Sequence, residues 1–408
     1  MAAALLLALP AAVSAAPEPA DGPSPLAEGT TAFACDLFHA VGAGGGNLFL
    51  SPWSVSSALA MARAGANGST AAQIDTALHL PKDASAAYRM VVTRLEAPNV
   101  VRGEGPDGKI AAAPAFELNV ANGVFAQAGL AFEPAFRKTV SSDFHAEFRD
   151  LDFTKGPESR KAINDWAEKQ TKGRIKDLMP PGLPTPETRM VLANAIHFIA
   201  AWEVPFPDSE TAEKPFTVAA GTAVQARLMR RAGRLRYGET ADAQVVEILY
   251  RNGETSMLVV LPKAKDGLPA VEKALSGPAL AAWVGALERR RVELELPKFS
   301  FSSQVGLAEA LAKMGMADAF DAAKADFTGI AREKPLFLGA VLHKAFVAVD
   351  EKGTEAAAAT AALLQATSMP RPEEPARFVA DHPFLFFLVH RGTGVVLFVG
   401  RVDDPTKG

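Results

Sequence analysis

The sequence predicts an α+β protein whose length allows two or three domains or one large one, and three observations carry the fold class. Segments with helical spacing and segments with strand patterning are mixed along the 408 residues without strict strand–helix–strand alternation, which disfavours a parallel α/β sheet. Hydrophobic residues make up 49% and charged residues 22%, which supplies a large core and lies far from the disordered class. Cys35 is the single cysteine, so neither a disulfide framework nor a thiolate zinc cluster can take the place of packing.

Taken in order, the chain opens with an apolar run over residues 2–13, centred on Leu5, Leu6, Leu7 and Leu9 and too short to span a bilayer. The small-residue pattern Val13-Ser14-Ala15 follows, so residues 1–15 read as a signal peptide cleaved after Ala15, and the protein as secreted, extracellular or periplasmic. Residues 16–27, rich in Pro and Ala, read as a flexible leader into the first helix. Phe33, Leu37 and Phe38 recur at helical spacing and predict a helix over 30–41, with Cys35 as a small core residue. Pro52 suits the first turn of a second helix, where its missing N–H would be unpaired anyway. Residues 117–127 read as a strand, and 159–177 as an amphipathic helix with Ile163, Trp166, Ala167 and Ile175 on one side. The apolar run 190–198 predicts a strand buried on both faces. Residues 292–301 read as a further strand, and 384–402 as a hairpin turned at Arg391-Gly392-Thr393-Gly394.

Several function classes fall away. The 42 basic and 46 acidic side chains leave a net charge of −4 without long blocks of one sign, which argues against a nucleic-acid binder. No stretch after the leader approaches the ~18 uninterrupted apolar residues of a membrane span. Gly103-Glu104-Gly105-Pro106-Asp107-Gly108-Lys109 has the spacing of a phosphate-binding loop, but Ile110 stands where a hydroxyl must reach magnesium, and it reads as a surface loop. Gly42-Ala43-Gly44-Gly45-Gly46 reads as a flexible connection. There is no Gly-x-Ser-x-Gly elbow, no His-Glu-x-x-His, and no histidine pair at ligand spacing, so neither hydrolase nor metalloenzyme finds support. Arg227, Arg230, Arg231, Arg234 and Arg236, interleaved with Met229 and Leu235, could attract a polyanion but read first as an exposed strand edge with solvated charges.

Residues 342–383 are the most informative. A strand with period-two alternation over 342–349 leads into Asp350-Glu351-Lys352-Gly353-Thr354-Glu355-Ala356-Ala357-Ala358-Ala359-Thr360, and later into Pro370-Arg371-Pro372-Glu373-Glu374-Pro375. By propensity the alanines predict a helix, yet Gly353 before them and the prolines after them suit a long exposed connection.

The chain resembles the serpin family from the first mature helix to the C-terminus. Asn47-Leu48-Phe49-Leu50-Ser51-Pro52-Trp53-Ser54-Val55 is similar to the family's strand-to-helix motif, and Leu118-Asn119-Val120-Ala121-Asn122-Gly123-Val124-Phe125 to its sheet strand. Ile163-Asn164-Asp165-Trp166 with Thr171-Lys172-Gly173-Arg174-Ile175 resembles the helix across the main sheet. Leu192-Ala193-Asn194-Ala195-Ile196-His197-Phe198, Trp202-Glu203-Val204-Pro205-Phe206 and Asp381-His382-Pro383-Phe384-Leu385-Phe386 match further blocks. Ile199-Ala200-Ala201 departs from the Lys-Gly pair common in the family before that tryptophan.

The resemblance implies a single domain over 28–408 with a large central mixed sheet, smaller sheets, surrounding helices and a reactive-centre loop over about 351–377. It implies no enzymatic activity, no cofactor and no metal, but a monomeric suicide-substrate inhibitor whose partner is a serine protease held as a covalent acyl complex. The N-terminal part of the cut loop then enters the sheet as a strand. The implied hinge is Glu351, Gly353, Thr354, Glu355, Ala356, Ala357, Ala358, Ala359 and Thr360, with an ion pair between Glu351 and Lys298 that stabilises by at most ~1 kcal/mol if exposed. Side chains alternate along a strand, so Thr354, Ala356, Ala358 and Thr360, all small and uncharged, would enter the interior together, while Glu355 stays outside. From Thr354 to Thr367 such a strand would run ~43 Å. Ser51, Ser54, Asn194 and His343 match the shutter beneath the opening sheet, and Trp202 the breach where insertion starts. Family spacing of sixteen residues from Glu351 selects Thr367-Ser368 as the reactive bond, with Ala366-Thr367 and Ser368-Met369 as alternatives. Small Thr367 or Ala366 suits the shallow pocket of elastase-like or subtilisin-like proteases. The other reading is a non-inhibitory member acting as chaperone or small-ligand carrier.

Overall fold

The computed structural model describes residues 24–97, 100–104, 110–114, 116–218, 221–251, 253–332, 336–354 and 374–408. Ser24 caps the first helix by accepting the Ala27 N–H, and Pro25 occupies its first turn, so α1 (Pro25–Gly42) starts inside the stretch expected to be leader. Leu26 and Ala27 are buried, which ties that start to the body. Residues 1–15, expected to be a signal peptide, lie outside the described residues. Cys35 is buried as expected, and burial first, then the charge of Asp36, pushes its thiol up to about 12, so it stays protonated.

Next come β1 (Leu48–Leu50), α2 (Pro52–Arg63), α3 (Gly68–Ala77) and α4 (Ala84–Glu96). β2 (Val100–Glu104) and β3 (Ile110–Pro114) pair antiparallel, so a strand and no helix follows Lys109, which excludes a phosphate-binding loop. β4 (Phe116–Gln127), α5 (Pro134–Asp143), β5 (Glu147–Leu151) and α6 (Gly156–Gln170) follow. The helix expected to reach 177 ends at Gln170. There the Thr171 hydroxyl donates to the Ala167 carbonyl and accepts the Ile175 N–H, while Lys172 and Gly173 take positive φ. This turn still returns Ile175 to the cluster of Ile163, Trp166 and Ala167.

The chain continues through β6 (Met190–Ala201), β7 (Ala212–Thr217), β8 (Ala223–Glu239), β9 (Ala243–Leu249), β10 (Thr255–Pro262), α7 (Leu268–Ala274) and α8 (Gly277–Gly285). The single strand expected over 292–301 is two strands in two sheets, β11 (Glu288–Pro297) and β12 (Phe299–Gly306). The break falls at Lys298, whose N–H donates to the Arg227 carbonyl. α9 (Ala308–Leu311), β13 (Leu342–Val349), β14 (Gly353–Thr354), β15 (Ala376–Val379), β16 (Phe384–His390) and β17 (Val395–Val402) complete the order, with the last two forming the expected hairpin.

One sheet runs β1-β17-β16-β10-β9-β8-β11-β15 with β7 paired to β8, and the other runs β12-β13-β14-β6-β4-β5. The β4/β5 and β11/β15 pairs are parallel and the others antiparallel, so both sheets are mixed, as an α+β reading requires. The main core lies between them, with Phe49 stacked on Phe398 at 4.8 Å and Trp53 on Tyr88 at 5.2 Å. α6 covers the far face of the smaller sheet, where Phe125, Ile163, Trp166, Ala193 and Ala195 form a second cluster. β6 is therefore packed on both faces, as its apolar run predicts. The arginine-bearing segment is an edge only in part: β8 pairs with β7 up to Leu228 and with β9 from Arg236, so 229–235 have β11 alone as strand partner, and Arg231 within that stretch is not solvated but buried over the Phe206 ring. Burial pushes that guanidinium down to about 10.

Candidate functional site: a part-filled slot in the six-stranded sheet

β13 and β6 each pair antiparallel with β14, so they run in the same direction with a slot between them. Among the described residues β14 fills only the top of it. Gly353 stands opposite Ala201, and Thr354 opposite both Ala200 and Val349. Gly353 has φ 156°, and a Cβ there would lie 2.0 Å from the Ala200 carbonyl oxygen, so no other residue fits without moving β6. The loop expected to leave the body at Glu351 is thus already two residues inside the sheet. Thr354 is 2% exposed, and its hydroxyl shares a 2.6 Å hydrogen bond with the buried Tyr250 hydroxyl.

The breach around this end is built from backbone and aromatic contacts. The Trp202 indole N–H donates to the Asp350 carbonyl at 3.0 Å, and its backbone N–H to the Lys352 carbonyl at 2.8 Å. The Phe206 N–H donates to the Glu351 carbonyl at 2.8 Å. The Trp202 and Tyr250 rings stack at 4.5 Å, which fixes the phenol that meets Thr354. Lys298 Nζ donates to Glu351 Oε2 at 2.5 Å, and Thr211 Oγ1 to Oε1 at 2.8 Å. Glu351 is only 6% exposed, so this pair is half-buried, and the small stabilisation expected of an exposed pair does not apply. Burial acts to raise the Glu351 pKa, but the hydrogen bonds from Lys298 and Thr211 outweigh it and hold the carboxyl below its usual range.

Further down, the shutter residues named from the sequence meet. Ser51 is the cap of α2: its hydroxyl accepts the Ser54 N–H at 3.2 Å and donates to the Leu397 carbonyl at 2.8 Å. The Ser51 N–H donates to His343 Nε2 at 3.0 Å, which requires that nitrogen to be unprotonated. Burial pushes His343 down to about 4, so the ring is neutral at pH 7. The Ser54 hydroxyl donates to Asn194 Oδ1, Asn194 Nδ2 to Asn122 Oδ1 at 2.6 Å, and Asn122 Nδ2 to the Phe144 carbonyl at 2.8 Å. The two walls of the slot are therefore linked through α2, from Asn194 on β6 by way of Ser54 and Ser51 to His343 on β13. Asn122 is missed by sequence reasoning although it lies within a quoted motif, and its register opposite Asn194 is what recruits it. Tyr250 and Thr211 are missed too.

Below the shutter lies a cavity of ≈ 440 Å³, lined by Met190 to Ala193 and Leu342 of the slot walls and by Ile163, Leu178 and Met179. Glu355, Ala356, Ala357, Ala358, Ala359 and Thr360 of the hinge, and the bond Thr367-Ser368 with its alternatives, lie outside the described residues. Among the described residues no group of His, Cys, Asp and Glu could hold a metal ion, and no helix is long and apolar enough to cross a membrane.

A family model described as "Serpin (serine protease inhibitor)" matches residues 28–405. The chain belongs to the serpin family. It is 38% identical over 386 residues to human Serpin B8, covering 93% of this chain and 99% of that protein. With the leukocyte elastase inhibitor of Sus scrofa it shares 34% identity over 391 residues, covering 93% and 99%. The solved structure of cleaved Serpin 42Da matches this serpin with a TM-score of 0.82 at 30% identity, covering 94% and 99% of the two chains. Serpin membership gives the broad activity, inhibition of serine proteases rather than catalysis.

Proposed function

We propose that this serpin is a suicide-substrate inhibitor of elastase-like or subtilisin-like serine proteases, trapping the acyl-enzyme by inserting its cut loop into the slot. The register of β14 is the observation that carries this. Counting six residues down from Thr354, Ala200 and Val349 places Thr360 opposite both Asn194 and His343. A strand continued in that register would turn Thr354, Ala356, Ala358 and Thr360 toward the core and bring a hydroxyl to the shutter. It would also bring residues 361–364 to the lower cavity, where Leu363 falls opposite Val191 on the α6 side. In the chemical step the protease serine oxygen bonds to the carbonyl carbon of Thr367. The bond to the Ser368 nitrogen breaks, and that nitrogen leaves as an amine carrying the proton. Insertion before water attacks the ester moves the protease and holds the acyl bond. The hinge ion pair Lys298–Glu351, the breach at Trp202 and the shutter of Ser51, Ser54, Asn194 and His343 set the ease of opening.

The test is to mix the protein with elastase, subtilisin and trypsin and to resolve the products on a denaturing gel. A covalent complex with elastase or subtilisin supports the proposal; cleaved chain alone with all three overturns it and favours the carrier reading. The apolar run and small-residue site in residues 1–15 support export with cleavage after Ala15, and the mature protein is proposed to act as a monomer. N-terminal sequencing of material from the periplasm or medium should begin at Ala16, and a chain retained in the cytoplasm with Met1 intact would sink that reading.

A further inference from the structure

The cavity below the shutter is apolar inside and charged at its opening. Ile163, Leu178 and Met179 form one wall, and Val191, Ala193 and Leu342 of the slot form the other. The turn that leads into β6 brings Glu187 and Arg189 to the open side. That turn is closed on itself: the Thr188 N–H donates to the Thr185 carbonyl at 2.9 Å, and the Thr185 N–H to Thr188 Oγ1 at 2.9 Å. Arg189 is placed by it. One guanidinium nitrogen, Nη1, donates to the Pro186 carbonyl at 2.8 Å and to the Thr188 carbonyl at 3.1 Å, so the group is tethered by neutral acceptors. No carboxylate pairs with Arg189 among the described residues, although Glu187 lines the same opening. Glu187 is exposed and Arg189 half-buried, so water screens the carboxylate more than the guanidinium.

We propose that this cavity binds a single-chain aliphatic carboxylate, with the tail between α6 and the slot walls and the head on Arg189. Apolar walls with one cationic group at the mouth are the complement of such a molecule, since a guanidinium fork matches a carboxylate through paired hydrogen bonds. At ~30 Å³ for each water-sized group, ≈ 440 Å³ holds roughly fifteen non-hydrogen atoms, close to the count in dodecanoate. From Arg189 to Ala193 the lining runs four residue steps, ~13 Å, which suits an extended chain more than a compact ring. A sugar or nucleotide fits less well, because most of its polar groups would face leucine, isoleucine and methionine unpaired. An occupied cavity and an inserted loop exclude each other. In the register of β14, residues 361–364 fall in the same space, so the fatty acid binds the uncut protein and insertion displaces it. By reciprocal linkage the bound acid slows insertion and turns a share of loop cuts into plain hydrolysis. This displacement rests on the insertion reading; the binding site does not.

The experiment is equilibrium dialysis of the uncut protein against radiolabelled dodecanoate, octanoate and 1-dodecanol, all below micelle-forming concentration. Dodecanoate should saturate a single site. Octanoate, shorter by four methylenes at about fourfold each, should bind on the order of a hundredfold more weakly. Arg189→Gln should weaken dodecanoate by about tenfold and leave dodecanol within twofold, because only the head loses its partner. Val191→Trp fills the cavity and should abolish binding of both, whereas Arg289→Gln, at an exposed arginine on the other sheet, should stay within twofold of wild type. No saturable binding, equal losses in Arg189→Gln and Arg289→Gln, or full binding in Val191→Trp would each overturn the site. Thermal unfolding checks that each variant keeps its fold, and Val191→Phe repeats the comparison should the larger ring fail to fold. Protein nicked in the loop by subtilisin should bind dodecanoate at least tenfold more weakly than uncut protein. Equal binding before and after nicking would overturn the displacement with the Arg189 result intact, and absence of a covalent complex on the gel would then place the fault in loop insertion itself.

Discussion

At the top of the slot the hinge is gripped largely through main-chain atoms: the Trp202 and Phe206 N–H groups hold the carbonyls of Lys352 and Glu351, and β14 is laddered to both neighbours. At its middle the two walls are joined through bonds that each need a side chain, in the chain from Asn122 and Asn194 through Ser54 and Ser51 to His343, with the Ser54 and Ser51 N–H groups as its backbone members. A ladder can lengthen downward by adding one pair after another, each step resembling the last. The polar network cannot; a strand arriving between Asn194 and His343 must exchange buried hydrogen bonds, and each one left unmade costs about 1–3 kcal/mol. The entry of the slot is thus prepared, and resistance to filling it is concentrated lower down.

The largest effect that would break this contrast is expected from Thr354→Arg. A charge placed at a 2% exposed site beside Tyr250 has no partner there, so the first inserted pair is lost. The covalent complex on a denaturing gel should fall more than tenfold with cleaved chain in its place, and undiminished complex would show that the prepared entry is irrelevant. The next effect is one of pH on the middle of the slot. His343 titrates near 6.5 when unfolded and about 4 when folded, so its contribution is complete above pH 6.5 and is lost as pH falls toward 4. The loss is on the order of 3 kcal/mol. Burial, with the nearby charge of Arg94, lowers His390 to about 4 as well, so both share the window. Urea midpoints at pH 7 and pH 4.5 should converge in part in His343→Gln, and a variant with the full wild-type slope would remove His343 from the account.

Smaller changes sharpen the same contrast. Asn194→Ala leaves the Ser54 hydroxyl and the Asn122 carbonyl oxygen without partners, costing about 2 kcal/mol and lowering the unfolding temperature measured by circular dichroism. Tyr250→Phe removes one hydrogen bond from the hinge for about 1 kcal/mol. Its readout is proteolysis at the hinge by a non-target protease, faster by a few-fold than in wild type, whereas Thr354→Ser should keep the wild-type rate. Equal rates in Tyr250→Phe and wild type would mean that the phenol does not hold the hinge.

Much of the fold was legible because burial on one or both faces leaves a periodic trace, as in α1, β4, β6 and the β16/β17 hairpin. Breaks between elements left less. Lys298 interrupts what reads as one apolar strand, since alternation reports which way a side chain points and not which sheet its strand has joined. Arg231 reads as a solvated edge charge for the same reason, because the Phe206 ring it covers comes from another part of the chain. Shutter residues could be named from motifs, but Tyr250 sits at the end of β9 in a segment without any pattern, and only its contact across 104 residues gives it a place at the hinge. The depth of the hinge was equally hidden, since Gly353 signals backbone freedom without saying that β6 approaches it so closely.

The strand order has a consequence for what remains once the loop is cut. Beyond Ser368 the polypeptide includes β16 and β17, which sit inside the nine-stranded sheet between β10 and β1 rather than at a border. Severing one peptide bond therefore divides the covalent chain without dividing the particle. The carboxy-terminal piece should travel with the rest through a native sizing column and part from it only in denaturant, so under the proposed mechanism the protein would end its task as two polypeptides folded into one body.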